Sequence, residues 1–294
     1  MARTVFTGIY VPLATPFAAD GSLNASVLKQ LIDWVIENGA SGVVPCGTTG
    51  ESPTLSHDEH HRVIELTVEY AAGRVPVIAG TGSNSTAEAV ALTADAEKAG
   101  ADGMLVIAPY YNRPNQRGIL EHFKAVARAT SKPIVMYNIP KRTGVNMEPA
   151  TVIELSKVDN ITGIKESSGD MGQVMDIIQG TTDFGVLTGD DVLLFPLCAL
   201  GGHGGICTSS HFLPREWLRI YELCVAQKLD EARALHYRLL PLAKALFCEP
   251  NPSPLKAGLN LVGIPVGDPR LPMMPATDAC VDKMRTVLQG LGLI

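Results

Sequence analysis

Lys165 is the residue with the most chemistry to offer. It stands in Asn160-Ile161-Thr162-Gly163-Ile164-Lys165-Glu166-Ser167-Ser168-Gly169, a short apolar strand running into a polar turn. Strand side chains alternate, which sets Lys165 on one face with Gly163 and Ile161. On a buried face, loss of water favours a neutral amine over an ammonium, and a neutral amine attacks carbonyl carbon. The ordinary alternative is a lysine that reaches solvent at the strand end. Tyr137 lies near the end of another apolar run and shares a face with Val135. Its phenol is either satisfied within a core or aimed at the same interior as Lys165. Gly47-Thr48-Thr49-Gly50 sets two hydroxyls between glycines. Such a turn can offer N–H groups to an anion, or it is an ordinary loop. Arg142 follows Tyr137 closely, and a planar guanidinium there suits bidentate recognition of a carboxylate, unless it is solvated surface charge.

Two further clusters read more plainly. His57-Asp58-Glu59-His60-His61 lacks His-Glu-x-x-His spacing, and no other ligand is spaced to complete a set, so no metal is expected. Gly201-Gly202-His203-Gly204-Gly205 is compatible with a phosphate cradle but reads better as a tight turn before a strand.

Positioning these groups falls to a repeated unit. Short apolar runs begin at Gly8, Gly42, Val75, Gly103, Pro133, Asn160, Phe184 and Gly204, and a helix-period segment follows each. Ser56 and Glu59 form a capping-box pattern at one helix start, and Gly39 suits a helix stop. Continuous apolar strands alternating with helices imply a parallel sheet covered on both faces. Eight such units predict an α/β chain folded as a (β/α)₈ TIM barrel. A doubly wound sheet normally carries a Gly-x-Gly-x-x-Gly turn after its first strand, and none is present. Beyond Lys228 the pattern is helical, over Asp230–Phe247, Pro254–Leu261 and Thr277–Leu291, with proline-rich separators. The expected division is a barrel over residues 1–228 and a C-terminal helical appendage over 229–294. Barrel sites sit at the C-terminal strand ends. That rule gathers Thr48, Thr49, Tyr110, Tyr111, Tyr137, Lys165, Gly189 and Ile206 at one mouth. Gly163, beneath Lys165, is expected to leave room for a bound ketoacid.

Composition narrows the class. At 46% hydrophobic and 18% charged over 294 residues the chain is globular rather than disordered. A net charge of −6 argues against a nucleic-acid partner. No window is long and apolar enough for a bilayer, and the first six residues lack a signal-peptide layout and lead into a strand-like segment. The six cysteines are scattered without a Cys-x-x-Cys pair. Most read as small buried hydrophobes in a reducing, cytoplasmic setting.

Gly47-Thr48-Thr49-Gly50-Glu51, Pro109-Tyr110-Tyr111-Asn112, Tyr137-Asn138-Ile139-Pro140 with Arg142-Thr143-Gly144, and Gly163-Ile164-Lys165-Glu166 together resemble the 4-hydroxy-tetrahydrodipicolinate synthases, formerly dihydrodipicolinate synthases. The likeness also covers Gly189-Asp190-Asp191, Gly201-Gly202-His203-Gly204 and Glu249-Pro250-Asn251-Pro252. The lysine and tyrosine motifs are shared with the wider pyruvate-dependent class I aldolases, including N-acetylneuraminate lyase. The resemblance implies condensation of pyruvate with L-aspartate 4-semialdehyde in lysine biosynthesis. Lys165 would form the Schiff base, and Thr48 and Thr49 would hold the pyruvate carboxylate. Tyr137, Thr49 and Tyr111, the last from a neighbouring subunit, would relay protons. Arg142 would bind the semialdehyde carboxylate, and Gly189 and Ile206 would add backbone groups. It implies no metal or organic cofactor, and a homotetramer built as a dimer of dimers. Ser52, His57, His60, Asn84, Glu88 and Tyr110 match an L-lysine inhibitor site in which Glu88 pairs with the ammonium. Pro53 departs from the family pattern there, as does Ile206-Cys207-Thr208-Ser209-Ser210-His211 along the last strand, where the departure suggests a shifted substrate preference. The competing readings are another Schiff-base lyase, acting on a sugar acid or hydroxy-keto acid, and a non-catalytic lysine sensor.

Overall fold

The computed structural model describes residues 5–294, so the expected lead-in over residues 1–4 lies outside the described residues. Eight strands form: β1 (Gly8–Val11), β2 (Gly42–Val43), β3 (Ile78–Gly80), β4 (Gly103–Ile107), β5 (Ile134–Asn138), β6 (Ile161–Glu166), β7 (Gly185–Thr188) and β8 (Gly204–Ile206). They pair in parallel in the order β2-β1-β8-β7-β6-β5-β4-β3. Between β2 and β3 a parallel bridge, Val43 to Val77, brings the barrel nearly to closure. Val43 donates to the Pro76 carbonyl at 3.0 Å, and Gly80 to the Pro45 carbonyl at 2.9 Å. Pro45 and Pro76 have no N–H to give, so the ladder cannot thicken at this seam. The same loss starts β3 at Ile78 rather than at Val75, where hydrophobicity alone puts it.

Two apolar layers follow from strand alternation. Tyr10, Val44, Ile78, Leu105, Val135, Tyr137, Leu187 and Ile206 fill the barrel interior above Phe6. Ile9, Val11, Met104, Val106, Ile134, Met136, Ile164 and Val186 face the surrounding helices. β6 carries one irregularity. Ile134 pairs with Ile161, yet Val135 pairs with Gly163, so Thr162 is the extra residue of a bulge. The bulge shifts the alternation by one, and Ile161 packs in the outer layer rather than sharing the Lys165 face. Lys165 itself follows the bulge and sits directly opposite Tyr137.

Helices such as Ala25–Glu37, His57–Ala71, Gln116–Ala127 and Pro214–Val225 cover the barrel. The capping box at Ser56 and Glu59 forms on both sides, and Gly39, at φ +93°, follows the first helix. Three C-terminal helices follow: Leu229–Ala245, Ser253–Leu261 and Asp278–Gly290. The loop before the second returns to the barrel mouth. There Lys256, 1% exposed, pairs with Glu51 at 2.6 Å. Its Nζ also donates to the Asp268 carbonyl at 3.1 Å and lies 4.3 Å over the Phe17 ring. Burial pushes the Lys256 pKa down, against the pull of Glu51.

Beside it, Arg270 caps Glu59 with a two-point ion pair. The Arg270 hydrogen bonds hold the Glu59 carboxyl down at about 2. A depressed carboxylate pKa stabilises the fold above its unfolded value of about 4.5, and that contribution is lost as pH falls towards 2. Replacing Arg270 with glutamine is therefore expected to flatten the fall of the urea midpoint between pH 4.5 and 2; an unchanged acid slope contradicts this.

The cysteines divide. Cys46, Cys198, Cys207 and Cys224 are buried free thiols, as their apolar settings predict. Cys248 and Cys280 are bonded to one another across 32 residues. No local spacing signals that pair, because helix packing brings the two together. Among the described residues no helix is long and apolar enough to cross a membrane.

Candidate active site

The C-terminal ends of β3, β4 and β5 and the loop after β2 converge on a cavity of about 530 Å³. Tyr137, Arg142, Thr48, Tyr110 and Asn251 help line it. Lys165 does not itself line it; 6% exposed, it places Nζ 4.2 Å from the ring centroid of Tyr137, which does. Strand register delivers this contact, since the two residues are opposite one another on neighbouring parallel strands. Among the described residues the Lys165 amine makes no hydrogen bond or ion pair. Lys256, the other deeply buried lysine, is fully engaged with Glu51 and Asp268.

Room for Lys165 comes from a different glycine than expected. A Cβ on Gly163 would sit 2.8 Å from the Gly185 carbonyl oxygen, so glycine is needed there for close strand approach, not for a ligand. A Cβ on Gly189 would collide with Lys165 Cε and Ser167 Oγ. Gly189 therefore clears the space beside the amine. Ile206 packs in the same interior layer as Tyr137.

The outer face of β6 is pinned by Glu166, which the sequence pattern does not single out. Its buried carboxylate accepts from Asn138 Nδ2 at 3.0 Å, Gln173 Nε2 at 3.2 Å and the Ser168 N–H at 2.6 Å. These bonds tie the ends of β5 and β6 together and so fix the Tyr137–Lys165 pairing.

Thr48 and Thr49 stand in the loop after β2, and among the described residues their N–H groups meet no protein acceptor. Thr49 is buried, and its Oγ1 accepts from Asn251 Nδ2 at 3.0 Å. Arg142 rides on a short helix, Pro140–Thr143, that hydrophobic periodicity does not reveal, and its Nη2 donates to the Asn251 carbonyl at 3.3 Å. Tyr111 points away from this group. It is 89% exposed, in the left-handed region at φ 70°, with its N–H on the Thr143 carbonyl at 3.3 Å. Backbone strain of this kind in a non-glycine residue persists only when the surroundings impose it.

Beside the mouth, Ser52, His57, His60, Glu88 and Tyr110 line the same cavity; Asn84 does not, though its carbonyl accepts from Asn112 Nδ2 at 2.9 Å. Glu88 accepts from Ser83 Oγ and faces His57 Nε2 at 2.8 Å, and these bonds, Ser83 first, lower its pKa. His60 donates from Nε2 to the Gly80 carbonyl at 2.9 Å, and burial lowers its pKa. His61 pairs instead with Asp95. The three histidines thus serve three separate partners, and among the described residues no cluster is placed to hold a metal ion.

The atypical stretch lies beyond β8 rather than along it, with Thr208–His211 forming a 3-10 turn that packs inward. Asp191 accepts from the Thr208 and Ser209 N–H groups at 3.2 and 2.6 Å. His211 bridges Thr208 O and the Ala14 N–H, and its own carbonyl accepts from Trp34 Nε1 at 2.9 Å. None of Cys207 to His211 lines the cavity. The glycine run at 201–205 forms a turn at the opposite end of the barrel, where His203 joins Gly8 and Val186.

A parallel eight-stranded barrel with its polar groups gathered at the C-terminal strand ends is the architecture of the (β/α)₈ enzymes. Within that class the chain belongs to the dihydrodipicolinate synthetase family, whose model matches residues 5–291. It is 50% identical to a 4-hydroxy-tetrahydrodipicolinate synthase of Syntrophus aciditrophicus over 99% of this chain and 100% of the relative. Among solved structures it is similar to the dihydrodipicolinate synthase of Aquifex aeolicus, with a TM-score of 0.95 at 43% identity, covering 98% of this chain and 99% of that one. The lysine-bound enzyme of Cyanidioschyzon merolae gives a TM-score of 0.96 at 40% identity, with 98% and 99% covered.

Proposed function

We propose that this chain is a lyase-class enzyme that condenses pyruvate with L-aspartate 4-semialdehyde to give 4-hydroxy-tetrahydrodipicolinate, for lysine and diaminopimelate biosynthesis. The observation that carries this reading is the buried, unpaired Lys165 amine over the Tyr137 ring. The relatives' shared name gives the product.

Lys165 Nζ adds to the pyruvate ketone, and water leaves as the imine forms. The Thr48 and Thr49 N–H groups and hydroxyls hold the pyruvate carboxylate, with backbone groups of Gly189 and Ile206 alongside. Loss of a methyl proton turns the imine into an enamine, which attacks the aldehyde carbon. Tyr137 and Thr49 carry the protons, joined by Tyr111 of a second copy. Arg142 holds the semialdehyde carboxylate. The semialdehyde's own amine then displaces Lys165 and closes the ring. One water is released overall, no electrons change hands, and the imine itself supplies the electron sink that an organic cofactor would otherwise provide.

The exposed, strained Tyr111 supports assembly through a second copy, and a homotetramer arranged as a dimer of dimers accommodates it. The four free thiols support a cytoplasmic setting, while the Cys248–Cys280 bond runs against it. A substrate panel tests the reaction. Turnover of pyruvate with aspartate semialdehyde is expected; cleavage of a sugar acid without that turnover rejects the assignment in favour of another pyruvate-dependent lyase.

The side pocket is read as an L-lysine site, with Glu88 on the ligand's ammonium and Ser52, His57, His60, Asn84 and Tyr110 around it. Calorimetry is expected to detect L-lysine binding, and Glu88→Gln to weaken it by roughly 10- to 100-fold, the worth of a charge-assisted hydrogen bond. No heat at millimolar L-lysine removes the pocket from regulation.

A further inference from the structure

Asn251 sits between two prolines in Glu249-Pro250-Asn251-Pro252-Ser253, far from every strand in sequence. It is nonetheless 5% exposed and part of the cavity wall. Its loop is held firmly. Ser253 donates through N–H to the Pro250 carbonyl at 3.2 Å and through Oγ to the Met274 carbonyl at 2.6 Å. Three residues further on, Lys256 is locked to Glu51, two residues past Thr49. Asn251 then spends both halves on the site. Its side-chain amide donates to Thr49 Oγ1 at 3.0 Å, and its carbonyl accepts from Arg142 Nη2 at 3.3 Å.

The donor direction matters. A threonine hydroxyl has one hydrogen to give and two lone pairs to receive with. With the Asn251 amide filling one lone pair, the Thr49 hydrogen cannot turn towards Asn251 and is left for the substrate side. Asn251 Oδ1, on the far side of the amide, is buried with no partner, so the amide gives Thr49 its donor while leaving its own acceptor unsatisfied. Such a cost is retained where the opposite orientation would be worse. The geometry points to Asn251 as a positioning residue for proton transfer: it sets the direction of the Thr49 hydroxyl and, through its carbonyl, the place of the Arg142 guanidinium.

This role rests on the imine reading above, and pyruvate alone tests it. Exchange of the pyruvate methyl protons with D₂O reports enamine formation, while borohydride trapping reports the imine. Asn251→Asp keeps the shape and the acceptor but removes the donor. It is expected to slow methyl exchange about 100-fold at neutral pH, the lower end of what a positioned proton-transfer group contributes, with imine trapping intact. Relative to the unmodified enzyme at each pH, the loss should shrink as pH falls from about 8 towards 5, because a buried carboxyl takes up a proton readily and then donates as the amide did. A merely structural role predicts no such recovery. On a Thr49→Val background the same change should cost little further. Should the aspartate variant fail to fold, Asn251→Ala removes the donor without a charge and should show the loss without the recovery. Normal exchange in either folded variant, or additive losses with Thr49→Val, overturns the role. Absence of any trapped pyruvate in the unmodified chain would instead reject the imine reading, and this role with it.

Discussion

Replacing Lys165 with methionine is expected to abolish pyruvate attachment and to lower condensation by at least about 1,000-fold, roughly 4 kcal/mol of barrier. The chain treated with pyruvate and borohydride should gain mass on the peptide carrying Lys165, and the methionine variant should gain none. Lys256 is the internal control, because it is more deeply buried, at 1% against 6%. Burial alone would select it. Its ammonium, however, is committed to a carboxylate at 2.6 Å and a carbonyl at 3.1 Å. A nitrogen whose hydrogens are so committed is not free to turn on a carbonyl carbon, whereas the Lys165 amine lies over the Tyr137 ring without an ion pair. Methionine keeps most of the volume, so the loss reads as chemistry rather than collapse. Mass found on another lysine, or turnover surviving in the variant, ends the proposed mechanism.

Lys256→Met is expected to produce the largest loss of stability. Glu51 would stay buried at the mouth without its partner, and breaking a buried pair from one side costs about 3–5 kcal/mol. For a chain of this size that corresponds to a Tm lower by roughly 6–20 °C. Pairing the change with Glu51→Gln should recover most of it, since replacing both members of a buried pair is often close to neutral. Thermal and urea unfolding of the two variants decide the matter. A Lys256→Met protein within about 1 kcal/mol of the parent would show that the pair contributes little.

The barrel was legible because eight apolar strands and their helices repeat a pattern that only a covered parallel sheet satisfies. Lys165 and Tyr137 were legible for a related reason: a polar tip on an apolar strand is conspicuous, and strand parity aims it. Parity failed one residue pair away, at Ile161, because a bulge is a matter of register with a neighbouring strand and leaves no mark on its own sequence. Gly163 misled similarly, since a glycine that admits a neighbouring carbonyl and one that admits a ligand look alike until the packing is known. The contacts of Asn251, Lys256 and Arg270 were out of reach altogether. Their partners lie roughly 200 residues away in sequence, and in a proline-rich stretch nothing local separates a connector from a wall of the cavity. The inward-turned residues from Cys207 to His211 show the reverse case, in which unusual wording is taken up in internal packing.

The seam between β2 and β3 makes the barrel mechanically uneven. Along β4, β5, β6 and β7, opening two strands means breaking a ladder; here proline has removed the donors that would thicken it. A joint with few bonds opens at little cost. On its two sides stand the loop bearing Thr48 and Thr49 and the loop leading to Glu88. This seam thus lies between the Thr48 and Thr49 hydroxyls and the Glu88 side of the cavity, so a wedge placed beside Glu88 would strain this joint before it deformed the well-laddered strands that carry Lys165 and Tyr137.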